Sequence, residues 1–196
     1  MLDAGEPGWG ASGRNGGQVI PGLKHDPDDL RRQFGSNQAE RLIEVAGHAA
    51  DHVFELIEHY GIDCEATRKG WIQPAASPAA MRAIERRADQ WRQRGVPVEM
   101  LDQASVTRRI GSHDYLGAWV DPRAGSVQPL SYARGLAHAA IREGAQIHGG
   151  TRVTDLRREE GRWVLTTHQQ HRVHAEHVVL ATNGYTCLLY TSDAAD

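Results

Sequence analysis

Residues 8–18 read GWGASGRNGGQ, and this glycine-rich stretch decides which fold the chain can adopt. Gly8, Gly10 and Gly13 have the G-x-G-x-x-G spacing of a dinucleotide-binding fingerprint, whose glycines let the backbone approach a pyrophosphate. That fingerprint also needs a strand before the glycines, an apolar helix start after them and an acidic residue about 20 positions later. Here the preceding strand is nearly absent, RNGG follows, and the acidic residue, Asp3, comes first. The simple fingerprint interpretation is therefore disfavoured.

Composition indicates a globular protein of ordinary type. The chain has 196 residues, of which 40% are hydrophobic and 24% charged, as in globular domains. Its net charge of -3 argues against a nucleic-acid partner. No apolar run approaches the ~20 residues of a membrane span, and no signal peptide is visible. Cys64 and Cys187 form no disulfide framework, so a cytoplasmic location is expected.

Periodicity and capping residues predict several helices. Apolar residues from 39 to 60 recur every three or four positions, which predicts one helix that Gly61 ends. Ser77 followed by Pro78, and later Asp102, are typical helix starts. Residues 129–143 form another amphipathic pattern. These helices alternate with predicted strands, which indicates an α/β or α+β architecture.

The predicted strands are short except for one apolar run near the end. They lie in GWIQPA, at the end of residues 62–75, at 96–101, 116–120 and 126–128, and then at 146–148, 153–157, 163–167 and 172–174. The run 177–181, HVVLA, is continuous and apolar, which is typical of a buried parallel strand.

Residues 2–18, LDAGEPGWGASGRNGGQ, carry a more specific signal than three spaced glycines. They resemble, nearly throughout, the segment after the second strand in FAD-dependent oxidoreductases of the D-amino-acid oxidase type. A weaker resemblance continues through YGIDCEATRKGWIQPA, AWVDPRAGSVQPL, GTRVTDL and HVVLATNGY, and reaches Thr186. The family implies a two-domain, glutathione-reductase-like flavoprotein fold, α/β with an α+β insertion, and FAD as cofactor.

The resemblance also implies which residues contact FAD. Asp3 stands where the family has a glutamate that accepts hydrogen bonds from the adenosine ribose, and Asp is one methylene shorter. Val153 matches a strand residue whose backbone meets adenine. Small residues allow backbone donors near a diphosphate, and Arg14 can offset its charge. The other implied contacts lie in the glycine-rich loop and in a loop after the last strand: Ser12, Arg14, Asn15, Gly16, Gly17, Ala181, Thr182, Asn183 and Gly184.

The same resemblance divides the chain and implies that it is incomplete. Residues 1–35 and 145–186 would belong to the FAD domain, and 36–144 to a helical insertion and part of a substrate domain. The family's first strand and first glycine loop would precede Leu2, and later flavin contacts would follow Thr186. Residues 187–196 resemble a translated sequencing adapter, the alternative being an ordinary strand and loop.

The implied reaction is oxidation of an amine substrate, such as gamma-glutamylputrescine, by hydride transfer to flavin, with oxygen or another electron acceptor. No catalytic acid or base is assigned, because the cofactor carries the difficult step. One alternative is a D-amino-acid, glycine or sarcosine oxidase of the same fold. Another is a non-catalytic, truncated product that cannot hold FAD.

Other chemically capable residues have simpler interpretations. Four histidines at 168, 171, 174 and 177 alternate between strand faces, so exposed positions are favoured over a metal site. His48 and His52 share a helical face without an obvious third ligand. His25 is more simply a loop residue than a flavin neighbour. Core packing is the commoner use of Cys64, Trp71, Trp119 and Tyr132.

Overall fold

A computed structural model describes residues 1–183, in which helices alternate with short strands. The helices are α1 (Pro27–Phe34), α2 (Ser36–Gly47), α3 (Ala49–Tyr60), α4 (Pro78–Arg92), α5 (Gln103–Ile110) and α6 (Pro129–Arg142). The strands are β1 (Gln18–Val19), β2 (Trp71–Ala75), β3 (Glu99–Asp102), β4 (Gly117–Asp121), β5 (Gly125–Ser126), β6 (Val153–Glu159), β7 (Arg162–Thr167) and β8 (Arg172–Ala175). Within these residues no helix has the length and apolarity to cross a membrane.

The strands form three antiparallel sheets and one parallel contact. The central sheet has the order β2-β4-β3, the second sheet is the meander β6-β7-β8, and β1 pairs with β5. The parallel contact joins Leu2 to His148 near the start of the chain. The central sheet is therefore antiparallel throughout.

Strand β4 lies at the centre of the main core. All five of its residues are buried, as expected for a strand covered on both faces. Trp119 joins the apolar cluster formed with α1, α2 and α4. Its neighbours Ala118 and Val120 join a second cluster that includes Val106 of α5. Successive side chains of a strand point to opposite faces, so β4 links the two clusters.

Local capping explains where several helices begin and end. The Ser77 hydroxyl accepts a hydrogen bond from the Ala80 N–H at 3.2 Å, with Pro78 at the first helical position. The Asp102 carboxylate accepts one from the Ser105 N–H at 2.8 Å. Gly61, in the left-handed region, ends α3. These contacts confirm the predicted starts at Ser77 and Asp102 and the stop at Gly61.

The prediction of one helix from 39 to 60 is wrong. The backbone leaves helical geometry at His48 (φ -96°, ψ 0°), which separates α2 from α3. Helix α2 buries Gly47 close to the Trp91 ring, where a Cβ would lie 3.5 Å from the nearest ring atom. The buried positions of α2 therefore follow its packing against Trp91, whereas Leu56, on the predicted apolar stripe, is 38% exposed.

The prediction of a buried strand at 177–181 is also wrong. These residues have no regular secondary structure, and Val179 and Leu180 are 87% and 49% exposed. An apolar run becomes a buried strand only where neighbouring strands can pair with it. Within residues 1–183 no strand pairs with this run.

The turn after β4 contains a buried ion pair. The Asp121 carboxylate accepts hydrogen bonds from the Arg123 backbone N–H (3.1 Å), Nε (3.0 Å) and Nη2 (2.6 Å). Arg123 also donates to the Gly47 carbonyl at 3.2 Å, and its guanidinium lies 4.5 Å from the centre of the Trp91 ring. One side chain thus joins the sheet turn to α2 and α4.

We expect Asp121→Ala to lower the free energy of unfolding by about 3 kcal/mol, because it leaves the mostly buried Arg123 without its counter-charge. Denaturant unfolding measures this change. The matched control is Asp155→Ala, which removes an exposed ion pair with Arg157 and should cost less than about 1 kcal/mol. Equal effects of the two substitutions would contradict the role given to Asp121.

A second charged cluster joins α1 and α2 to the turn that follows α4. The Glu40 carboxylate accepts two hydrogen bonds from Arg94, at 2.8 and 2.9 Å, and one from Arg31 Nε at 2.8 Å. These bonds, first those from Arg94 and then that from Arg31, lower the pKa of Glu40 to about 2. The Glu40 side chain is 43% exposed, so its contribution to stability is small.

The low pKa of Glu40 predicts how the contribution of its ion pairs to the free energy of unfolding depends on pH. It is fully present above the ordinary pKa of 4.5 and is lost as the pH falls from there through about 2. The difference in Tm between wild type and Glu40→Gln should therefore be constant at neutral pH and shrink over that acidic range. Glu85→Gln, at an exposed position on α4, is the control and should show no such trend.

Candidate functional site

The start of the chain lies beside the segment that leads into β6. The Asp3 N–H donates to the His148 carbonyl at 3.0 Å, and the Thr151 N–H donates to the Asp3 carbonyl at 2.7 Å. Val153, the first residue of β6, follows two residues later. Two sequence-predicted cofactor positions, Asp3 and Val153, are thereby brought into adjacent segments.

The Asp3 side chain is exposed at the end of this extended segment. One of its carboxylate oxygens accepts a hydrogen bond from the Gly5 N–H at 3.0 Å. A short polar side chain that bonds to the backbone two residues on fixes a turn and its own orientation. Asp3 therefore presents an oriented carboxylate to solvent.

Close packing against α6 explains two of the three fingerprint glycines. Residues 11–13 form a single 3₁₀ turn, and no helix follows it directly. A Cβ on Gly13 would lie 2.0 Å from the Gly8 carbonyl oxygen and 2.9 Å from Leu130 Cδ1. A Cβ on Gly8 would lie 2.8 Å from that same Leu130 atom. The two glycines serve loop packing, which agrees with the rejection of the simple fingerprint.

Asn15 holds the loop together from within. Its side-chain amide donates to the carbonyls of Ala11 (3.1 Å) and Ser12 (2.9 Å). Its side-chain oxygen accepts a hydrogen bond from the Gly17 N–H at 2.8 Å. The Asn15 side chain thus satisfies backbone groups of the loop itself.

Gly16 and Gly17 have opposite environments. Gly17 is buried with φ +68°, and a Cβ there would lie 2.0 Å from the Val127 carbonyl oxygen. The Val127 N–H donates to the Gly17 carbonyl at 2.8 Å, which fastens the loop to the chain after β5. Gly16 is exposed, and a Cβ there would meet nothing within 4 Å.

We expect Gly17→Ala to destabilise the protein by about 2 kcal/mol or more, since it adds a clash to an unfavourable backbone conformation. Gly16→Ala is the matched control, because its φ is not positive and its surroundings are open. Unfolding in denaturant, without cofactor, compares the two variants. A Gly17→Ala variant as stable as Gly16→Ala would refute the proposed packing of the loop.

The exposed side of the loop carries Ser12 and Arg14. The Arg14 guanidinium lies 4.8 Å from the centre of the Trp9 ring. The Trp9 side chain in turn lies against Gly5, where a Cβ would be 3.2 Å from Trp9 Cγ. Contacts therefore run continuously from Asp3 through Gly5 and Trp9 to Arg14.

Two members of this set, Gly5 and Trp9, were missed by reasoning from the sequence. A tryptophan inside a glycine-rich loop segment is a usable sequence signal, because this residue type is usually found largely buried in regular structure. Nothing in the sequence marks Gly5, whose importance comes from the close approach of the Trp9 ring.

The predicted returning loop is described only in part. Ala181 and Asn183 are exposed and Thr182 is half-buried, whereas Gly184 lies outside the described residues. Asn183 has φ +46°, a conformation that Asn adopts more readily than most residues. A cofactor role for these four positions stays a prediction.

Other reactive residue types have structural surroundings. The histidines at 168, 171, 174 and 177 are exposed, and residues 1–183 contain no group of three or more metal-ligating side chains. His48 Nδ1 contacts Asp51 and His52 Nδ1 contacts Glu55, each at 3.1 Å. Burial raises the pKa of the Cys64 thiol, which disfavours the nucleophilic thiolate.

Comparison with known proteins gives a consistent result. A family model described as FAD dependent oxidoreductase matches residues 1–195. The chain is 31% identical over 186 residues to gamma-glutamylputrescine oxidoreductase of Escherichia coli (strain K12), covering 94% of this chain and 43% of that protein. It is 31% identical over 191 residues to the probable oxidoreductase OrdL of Haemophilus influenzae, covering 96% and 44%. The crystal structure of glycine oxidase from Geobacillus kaustophilus matches with a TM-score of 0.74 and 26% identity, covering 97% and 50%.

The chain belongs to the FAD-dependent oxidoreductase family, which confirms the resemblance carried by residues 2–18. FAD is the cofactor of this family. The fold is that of the α/β flavin oxidases among the solved structures. The chain spans less than half the length of the two curated relatives.

Proposed function

We propose that Asp3, the loop 12–17 and Val153 bind the adenosine and diphosphate parts of FAD in an amine-oxidising enzyme. The observation that carries this proposal is the continuous set of contacts from Asp3 to Arg14. These contacts bring together the Asp3 carboxylate, which can accept hydrogen bonds from ribose hydroxyls, and the Arg14 cation, which can balance the charge of a diphosphate.

The surroundings of these residues support the fit to FAD. Asp3 is exposed and oriented, so its carboxylate can accept hydrogen bonds from ribose hydroxyls. The open space around Gly16 admits a bulky group close to the backbone. Arg14 is exposed, and no carboxylate among residues 1–183 is paired with it. Ser12 adds a hydroxyl donor on the same loop.

Asn15 and Gly17 act on the cofactor indirectly. Asn15 bonds to backbone groups of the loop, and Gly17 fastens it to Val127. A loop fixed before binding loses less conformational entropy when it contacts a ligand. Residues 181–184 are proposed as a second loop that meets the cofactor, on the family resemblance alone.

The proposed reaction takes its redox chemistry from the cofactor. Bound FAD supplies the acceptor for a hydride that leaves the carbon next to the amine nitrogen. Hydrolysis of the resulting imine would give a carbonyl product and release ammonia or an amine, and oxygen or another acceptor would take the two electrons given up by the substrate. The residues of this chain bind and orient, and we assign none of them as catalytic acid or base.

Gamma-glutamylputrescine is the substrate that we propose first. The 31% identity to gamma-glutamylputrescine oxidoreductase over 94% of this chain supports it. The structural match to a glycine oxidase supports a second candidate, an oxidase of glycine, sarcosine or D-amino acids.

A third candidate concerns the 196-residue chain by itself, which we expect to be unable to hold FAD or catalyse. The exposed apolar run with Val179 and Leu180 favours it, because such a run is ordinarily buried in a sheet. A thermal melt of this chain with and without FAD tests the idea. A rise of several degrees in Tm would reject it, since binding stabilises the native state.

The complete reading frame that contains these residues tests the main proposal. We expect the purified protein to carry flavin, detected by visible absorption, and to oxidise gamma-glutamylputrescine faster than glycine, sarcosine or D-alanine. A flavin-containing protein that oxidises glycine, sarcosine or D-alanine faster than gamma-glutamylputrescine would support the second candidate instead. Absence of flavin after incubation with FAD would reject both.

Replacing Asp3 tests the site itself. In the complete protein, Asp3→Asn should raise the Kd for FAD about tenfold, because the substitution removes charge-assisted hydrogen bonds to the ribose. The matched control is Glu6→Gln, which removes the same charge three residues later and should leave the Kd unchanged. Equal affinities of wild type and Asp3→Asn would contradict the role of Asp3.

A further inference from the structure

Trp9 is an exposed tryptophan held in one orientation by its own loop. The residue is 61% exposed, although tryptophan is largely buried on average. The backbone N–H of Trp9 donates a hydrogen bond to the Glu6 carbonyl at 2.9 Å, and Gly8, between these two residues, has φ +81°. Pro7 followed by a glycine with positive φ, closed by this bond, is the signature of a type II turn.

The Trp9 ring lies between Gly5, which is hydrogen-bonded to the Asp3 carboxylate, and the Arg14 guanidinium. On one side it lies against Gly5, whose N–H is bonded to the Asp3 carboxylate. On the other side it faces the Arg14 guanidinium, 4.8 Å from the ring centre. A cation over an indole ring is attracted to its negative face. The ring therefore restrains Arg14 in a fixed place relative to Asp3.

Among residues 1–183, Arg14 differs from most arginines that lie over an aromatic ring. Arg68 and Arg123 also lie over aromatic rings, but each is paired with an aspartate as well. For Arg14, within the described part of the chain, the contact with Trp9 is the restraint, and its charge is not neutralised by a carboxylate. An exposed, restrained and unneutralised guanidinium is suited to an anionic ligand.

We propose that Trp9 is a positioning residue for FAD, which holds Arg14 towards the diphosphate while Asp3 contacts the ribose. This inference rests on the proposed function, because it deepens the same site. Trp9 acts through Arg14, so its effect on FAD affinity must disappear when Arg14 is removed.

A double-mutant cycle in the complete enzyme tests the proposal. Trp9→Leu should raise the Kd for FAD about three- to fivefold, the range expected for an exposed cation–π contact. Trp9→Phe keeps an aromatic face and should restore most of the affinity. In an Arg14→Met background, Trp9→Leu should cause no further loss. Since Trp9 is exposed, the Tm without FAD should stay within a degree or so of wild type.

The control is Arg158→Met. It removes a similar contact outside the proposed site, where the Arg158 guanidinium of β6 lies 5.9 Å from the centre of the Trp163 ring of β7. It should leave the Kd for FAD unchanged. A Trp9→Leu protein with wild-type affinity, or one that loses as much affinity with Arg14 absent as with it present, overturns the inference. If Arg14→Met and Asp3→Asn also bind FAD normally, the proposed cofactor site itself fails, and that result differs from failure of Trp9 alone.

Discussion

The candidate site depends on the buried ion pair between Asp121 and Arg123. It closes the turn after β4 and joins that turn to α2 and α4 through Gly47 and Trp91. Because Asp121 is 1% exposed, its charge is stabilised almost entirely by Arg123 and the turn backbone. The chain leaving this turn enters β5 directly, so the direction of β5 is set by the pair.

Strand β5 transmits this constraint to the glycine-rich loop. β5 pairs with β1, and Val127, just beyond β5, exchanges close backbone contacts with Gly17. On its other side the loop packs on Leu130 of α6 through Gly8 and Gly13. The loop is thus fixed at both ends by elements that belong to the middle of the chain. The part of the candidate site that lies near the start of the sequence is positioned by residues more than a hundred positions later.

The sequence predicts features that depend on local chemistry. Capping at Ser77 and Asp102 needs only a side-chain oxygen and a backbone N–H three residues later. These helix starts can therefore be predicted from the sequence alone. The motif of residues 2–18 likewise identified the family and its cofactor. The break at His48 lies next to Gly47, which packs near the Trp91 ring from a different helix, and whether residues 177–181 form a strand depends on which strands lie beside them. Such features arise from tertiary contacts that periodicity does not contain.

The glycine spacing shows why a motif needs its context. Gly8 and Gly13 match a phosphate-binding fingerprint in spacing, yet Gly13 is required by the close Gly8 carbonyl, and Gly8 combines a positive φ with close packing on Leu130. The backbone of Gly16, by contrast, faces open space, and the charge on Arg14 is held at the surface by Trp9. Close contacts explain two of the three glycines that the fingerprint would select, whereas Gly16, outside it, has open space beside its backbone. The distinction between the two kinds of glycine is steric, and the spacing alone does not contain it.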